Sequence, residues 1–168
     1  MRASRPVGEN VSPHVRLAVP GDSARIADAI RAAFAEYSGI LVPESAALRE
    51  TSESISSELR GGSAALVAEQ NGLVLGCVMI QTIGSDLYLG RLAVRPSARR
   101  QGIGRVLVEA VEELARRRRH EGVRLGVRVQ LASNRHFFSE LGYREVARTA
   151  HAGFDHPTSI TMRKALAA

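Results

Sequence analysis

At 168 residues and 45% hydrophobic composition, the chain can bury one core but is short for two ordinary domains. A net charge of +6 raises nucleic acid as a partner. Aromatic residues make up only 4% of the chain and do not alternate with the basic ones, which disfavours a base-stacking platform. No apolar run approaches the roughly 18–20 residues of a spanning helix. The single cysteine, Cys77, excludes an intramolecular disulfide and reads as a small core hydrophobe rather than a metal ligand. The expectation is a cytoplasmic protein that binds neither membrane nor nucleic acid.

Residues 1–13 carry Arg2, Arg5, Pro6, Gly8 and Asn10 without a continuous apolar segment, so a disordered leader is expected there rather than a signal peptide. A single domain is expected over 14–168. Val15 to Val19 alternates as a strand, and Pro20-Gly21-Asp22 turns the chain. Ile26, Ile30, Ala33, Phe34 and Tyr37 share one helical face, which predicts a helix over 23–37. A second helix is predicted to open at Pro43-Glu44, carry Leu48, Thr51, Ile55 and Leu59 on one side, and stop at Gly61-Gly62.

Residues 64–70 and 73–82 are β-like runs joined by Asn71-Gly72, a type I′ hairpin signal. A third run covers 86–94. After a basic, glycine-containing loop, Ile103, Val106, Leu107, Ala110, Val111 and Leu114 form a helical stripe. Arg116 to Arg119 close that helix, where cations complement the helix dipole, and Glu112–Arg116 and Glu113–Arg117 fall at i,i+4. Leu125, Val127, Val129 and Leu131 alternate with polar residues as a half-buried strand does. A short helix from Asn134 to Leu141 follows, then strands over 143–149 and 158–164 around a loop, His151 to Pro157. The order βααβββαβαββ fits an α+β version of the α/β class: one mixed, mostly antiparallel central sheet with helices on both faces.

The most informative segment is Leu92-Ala93-Val94 followed by Arg95-Pro96-Ser97-Ala98-Arg99-Arg100-Gln101-Gly102-Ile103-Gly104. Strand, basic glycine loop and helix start form an anion cradle, because a helix N-terminus offers unpaired N–H groups and the positive end of its dipole. Arg91, Arg95, Arg99, Arg100 and Arg105 are expected to crowd around it. No Gly-Lys-Ser/Thr follows, so it is not a Walker loop. A dinucleotide fingerprint would need glycine at 107, where Leu107 stands.

Here the chain resembles the GNAT acetyltransferase superfamily, whose signature is Arg/Gln-x-x-Gly-x-Gly/Ala between its fourth strand and third helix. Arg99 to Gly104 follows that pattern behind Leu92-Ala93-Val94. A second family pattern appears as Phe137-Phe138-Ser139-Glu140-Leu141-Gly142-Tyr143. The resemblance spans about residues 15 to 166. It implies acetyl-coenzyme A as acyl donor, no metal, an amine acceptor and a possible homodimer. It also implies that Leu92, Ala93 and Val94 hold the pantetheine arm through backbone groups and that the N–H of Val94 polarises the thioester carbonyl. Arg99, Arg100, Gln101, Gly102, Ile103, Gly104 and Arg105 would bind the diphosphate, Asn134 the far end of the arm, and Phe138 would wall the sulfur.

Two family features are missing. Many relatives have tyrosine where this chain has Phe138, as the acid for the departing thiolate, and many have a glutamate late in the fourth strand, where Gly90 and Arg91 stand. Tyr143 and Asp86 are the weak substitutes. A thiol with pKa about 8.5 leaves without a strong acid near neutral pH. Deprotonating a lysine amine of pKa about 10.4 at pH 7 costs roughly 4–5 kcal/mol, against about 1 kcal/mol for an α-amine. An acceptor of low pKa, or proton loss through water to a loop carboxylate or histidine, is therefore expected. Glu36, Tyr37, Glu44, His151, Asp155 and His156 are candidate polar liners of the acceptor pocket. His151 and His156 lack a third metal ligand at sensible spacing. The rival expectation is a catalytically silent acyl-coenzyme A sensor or interaction module.

Overall fold

The computed structural model describes residues 12–167. Through residue 11, the leader expected over 1–13 lies outside the described residues. Seven strands form one sheet in the order β1-β2-β3-β4-β5-β7-β6. The strands are β1 (His14–Leu17), β2 (Ala64–Gln70), β3 (Leu73–Ile83), β4 (Asp86–Val94), β5 (Gly122–Arg128), β6 (Arg144–Thr149) and β7 (Ser159–Ala165). Every neighbouring pair is antiparallel except β4 and β5. The mixed, mostly antiparallel sheet is as the sequence pattern requires.

Helices α1 (Ser23–Phe34) and α2 (Ser52–Arg60) cover one face. Ile26, Ile30 and Ile55 pack there with Val67, Val74, Cys77 and Met79. Burial pushes the Cys77 thiol up to about 12, so it stays a neutral core group. Helices α3 (Ile103–Arg117) and α4 (Ala132–Glu140) lie on the opposite face, where Ile103, Leu107, Val108 and Val111 meet Val78, Ile80, Leu87, Leu89 and Leu125. Gly76 makes the approach of α3 possible: a Cβ there would stand 2.8 Å from the Ala93 carbonyl oxygen and 3.1 Å from the Ile103 side chain. The β2–β3 hairpin turns through Asn71 and Gly72 at φ 53° and 76°, both positive as a type I′ turn demands.

Several boundaries differ from expectation. The first helix ends at Phe34 and tightens into a 3-10 turn over Ala35–Tyr37. No helix opens at Pro43. A 3-10 turn covers Ala46–Arg49, and α2 starts only after Thr51, whose side chain caps the Ser54 N–H. Thr51 is therefore a cap, not a member of the apolar stripe. Val106 is 46% exposed, and Val108 takes its place against the sheet. β5 stops at Arg128, and Leu131 caps α4. β6 is exposed along its length because it is the edge strand. In the last turn of α3, Arg116 lies 3.7 Å from the Glu112 carboxylate and Arg117 3.6 Å from that of Glu113, at the expected i,i+4 spacings.

One feature of the sheet creates the site. β4 and β5 pair only over Asp86–Leu89 and Gly122–Leu125. Beyond that point β4 follows β3, β5 follows β7, and a gap opens between them. The β3–β4 register slips between Cys77/Ala93 and Met79/Gly90, leaving one extra residue on β4. That bulge contains Arg91 at φ 48°, and bulges bend the strand that carries them.

Candidate active site

In an antiparallel ladder, successive residues turn their N–H and C=O groups to opposite sides. The Arg95 N–H donates to the Leu75 carbonyl at 2.8 Å, and Ala93 is the partner of Cys77. Ala93 therefore bonds toward β3, while the backbone groups of Leu92 and Val94 face the gap, where β5 has already diverged.

The loop after β4 brings the N-terminus of α3 to the mouth of this gap. Arg100 and Gly102 adopt φ 62° and 76°, and Gly102 is the N-cap of α3. The first helical bond runs from the Val106 N–H to the Gly102 carbonyl at 3.0 Å. The N–H groups of Ile103, Gly104 and Arg105 thus have no acceptor within the helix. A Cβ on Gly104 would find only Phe137 and Val94 side-chain atoms, both at 3.7 Å. The helix N-terminus, the end of β4 and the aromatic face of α4 therefore converge around open space.

Two adjoining cavities fill the gap. One, of about 400 Å³, is lined on the cradle side by Tyr37, Val94, Gly104 and Phe137. The other, of about 280 Å³, is lined by Tyr88, Arg91, Gly126, Arg128, His151 and Ser159. Phe34, Leu92, Asn134 and Phe138 wall both. The two cavities therefore meet beside the free edge of β4.

The side-chain charge around the cradle is smaller than expected. Arg99 donates to Glu36 at 2.8 Å and to the Ala33 carbonyl at 3.0 Å. Arg105 pairs with Glu109 at 3.2 Å, and the Arg95 Nε donates to the Val74 carbonyl at 2.7 Å. Arg91 does not join the cluster: it points to Glu50 and Glu58 on the α2 side. Arg100 and Gln101 stay exposed, so backbone N–H groups dominate the cradle. Ala93 is buried against the helices of the other face, and Ile103 packs inward; each contributes main-chain groups only.

Asn134 and Phe138 line both cavities. The Tyr37 hydroxyl hydrogen-bonds with the Asn134 side chain, and burial pushes the phenol pKa up. The Phe138 ring lies edge-on to Phe137 and Tyr143, at centroid distances of 5.0 and 5.7 Å.

Both weak proton-transfer candidates are corrected by geometry. The Tyr143 hydroxyl donates to Glu112 at 3.1 Å, and burial, with the Glu112 charge, pushes its pKa up. Asp86 is buried under bonds from Arg163 at 2.7 and 2.8 Å and from Arg124. These arginines hold its carboxyl below the usual range, Arg163 most strongly. Neither residue lines either cavity.

Of the candidate acceptor liners, Glu36 and Tyr37 face the cradle side instead. Glu44 pairs with Arg49, and Asp155 with His156, away from both cavities. His151 lines the cavity of about 280 Å³. Its Nδ1 lies 2.5 Å from the Thr158 hydroxyl, and burial followed by the Arg128 charge holds its pKa below 6.5. Tyr88 and Arg128 were not singled out from sequence. Gly126 leaves room for Tyr88, whose hydroxyl oxygen would lie 3.1 Å from a Cβ at that position. Strand alternation marked Arg128 as polar but gave no sign of what it faces. Among the described residues, no group of three or more His, Cys, Asp or Glu is arranged to hold a metal, and no helix is long and apolar enough to cross a membrane.

The sheet is thus one whose parallel pair, β4 and β5, splays beside the N-terminus of α3. Residues 27–143 match the acetyltransferase (GNAT) family, and the chain belongs to that family. No curated protein matches it in sequence. Among solved structures, it is similar to the PaiA N-acetyltransferase of Thermoplasma acidophilum in complex with coenzyme A. The TM-score is 0.77 and the identity 19%, over 93% of this chain and 100% of that one. It is also similar to the ribosomal-protein-S18-alanine N-acetyltransferase of Escherichia coli, with TM-score 0.73 and 20% identity over 92% and 94% of the two chains. The ribosomal-protein-alanine N-acetyltransferase of Brucella melitensis gives 0.66 and 21%, over 91% and 99%. At these identities the likeness is one of fold.

Proposed function

We propose that the protein is an N-acetyltransferase that moves the acetyl group of acetyl-coenzyme A to a primary amine by direct attack on the thioester. The observation that carries this reading is that two cavities share the walls Phe34, Leu92, Asn134 and Phe138 beside the unpaired backbone of Leu92 and Val94. One compartment suits the donor, the other the acceptor, and they meet beside an unpaired edge.

The residues present fit coenzyme A. The N–H groups of Ile103, Gly104 and Arg105 and the dipole of α3 suit its diphosphate, with Arg100 beside them. Leu92 and Val94 present the edge to which a pantetheine amide can add as a strand would. Asn134 closes the far side, and Phe138 supplies an apolar wall for the sulfur. The Val94 N–H polarises the thioester carbonyl, a preorganised donor of the kind that contributes strongly to acyl transfer.

Attack by the amine nitrogen forms the C–N bond, and the C–S bond breaks with its electron pair leaving on sulfur. The proton lost from nitrogen passes to His151, directly or through water, and the thiolate takes a proton from solvent. His151 suits this role because it lines the acceptor cavity and is neutral at pH 7. Catalysis otherwise rests on proximity and on backbone electrostatics. The test is release of free thiol from acetyl-coenzyme A across a panel of amines. Acceptor-dependent release supports the enzyme. Tight coenzyme A binding with no turnover on any amine favours the silent module instead.

A further inference from the structure

We propose that Arg128 anchors an oxyanion subsite, so that the acceptor is a small amine which also carries a carboxylate or phosphate. This rests on the acetyl-transfer reading and deepens it.

Charge in the acceptor cavity is one-sided. Among the described residues, no aspartate or glutamate lines it, whereas Arg91, Arg128 and His151 do. The charge of Arg91 is answered by Glu50 and Glu58, which approach it from outside the cavity. Arg128 has no such answer. Its one hydrogen bond runs from Nη1 to the Pro43 carbonyl at 2.8 Å. The edge formed by Nε and Nη2 has no protein acceptor among the described residues. That edge is the planar fork which matches a carboxylate or phosphate.

The arginine is also only half-exposed, and a cation withdrawn from water without a counter-charge is costly. An incoming oxyanion removes that cost. A polyamine adds positive charge to a cavity that holds no carboxylate to receive it. The volume, about 280 Å³, suits a molecule of amino-acid size.

The competing account makes Arg128 a staple. Its bond to Pro43 ties the segment before α2 to the end of β5, beside the bond from the Val42 N–H to Gln130 at 3.3 Å. A staple would affect every acceptor alike, and a subsite only the anionic ones.

The test uses the full chain with acetyl-coenzyme A and paired acceptors: alanine against alaninamide, O-phosphoethanolamine against ethanolamine, and 1,4-diaminobutane. The expected result is that R128Q raises KM for the preferred anionic acceptor at least tenfold and leaves its neutral counterpart within twofold, while R128K keeps most of the preference. Whichever anionic pair shows the effect assigns carboxylate or phosphate. Preference for the diamine, or an equal loss on both members of each pair, overturns the subsite.

Calorimetry with N-acetylalanine and N-acetylalaninamide in the presence of coenzyme A reads the same site without turnover. Binding that favours the acid and depends on Arg128, with no acetylation of any amine, would leave the subsite standing and remove the enzyme. Acetylation indifferent to the anion would do the reverse. The wild-type ligand pairs decide the matter even if R128Q fails to fold.

Discussion

Glu58 on α2 receives both terminal nitrogens of Arg91, Nη1 to Oε1 at 2.7 Å and Nη2 to Oε2 at 2.5 Å. Arg91 is the residue of the β4 bulge held at positive φ. A helix on one face of the sheet thus clamps the irregularity that turns Leu92 and Val94 toward the gap. Burial works against the Arg91 charge, but Glu58 and Glu50 outweigh it and raise its pKa.

That clamp separates backbone strain from charge pairing. Replacing Arg91 removes the ion pairs in either variant, but glycine accepts φ 48° freely and alanine does not. R91A should therefore be about 1 kcal/mol less stable than R91G in urea unfolding. E58Q should cost about 1–3 kcal/mol and lower kcat/KM by loosening the bulge. Equal stability of R91A and R91G would show that the bulge stores no strain.

Gly104 tests the cradle without disturbing the fold. Its added methyl meets the protein only at ordinary contact distance, and alanine gains up to about 1 kcal/mol in helix propensity over glycine. G104A should melt no lower than the wild type yet bind coenzyme A at least tenfold more weakly by calorimetry. Unchanged affinity would move the diphosphate away from the start of α3.

Tyr143 separates a core hydroxyl from a catalytic one. Y143F removes the bond to Glu112 but leaves Lys164 at 3.0 Å from both carboxylate oxygens. The expected cost is about 0.5–1.5 kcal/mol of stability, with kcat unchanged. A hundredfold fall in kcat would return Tyr143 to the mechanism.

Asp22 sets an acid limit on the fold. Its side chain is buried, and hydrogen bonds from Arg16 hold its carboxyl down from 3.8 to about 2. A depressed acid contributes stability above its unfolded pKa and loses it as pH falls through the folded one. The pair should thus contribute about 2 kcal/mol near neutrality, vanishing between about pH 4 and pH 2. D22N should reproduce that loss at pH 7 and differ little from wild type at pH 2.

The pH–rate profile reports on His151. The ring must be neutral to take a proton, so the rate should fall as pH drops through its pKa, below 6.5. H151Q should remove this acid limb. R128Q should move it to higher pH, because the Arg128 charge is one cause of the depression. A limb unchanged in H151Q would assign the proton to another group.

Much of the architecture was legible along the chain. The Asn71-Gly72 turn, the α3 stripe and the order of elements along the chain depend on local conformational preference and periodicity, which neighbouring residues specify among themselves. The glycine loop could be read for the same reason: Gly102 adopts φ 76° as the N-cap of α3, a position that favours glycine. Less legible was the second helix, because Pro43-Glu44 signals a helix start but the chain uses it in a loop tied to Arg128 at the end of β5 and to Gln130 just beyond.

The site divides along the same line. Leu92 to Gly104 is one continuous stretch, so sequence by itself determined the end of β4, the glycine loop and the start of α3. The proposed acceptor half is assembled from α1, β4, β5, α4, β7, the segment before α2 and the loop at His151. The ion pairs that decide its charge join residues far apart in the chain, Arg91 with Glu50 and Glu58. Sequence lists the arginines. Only the tertiary structure decides which are neutralised and which one, Arg128, is left facing the acceptor cavity, because electrostatic pairing depends on distance through space and not on separation along the chain.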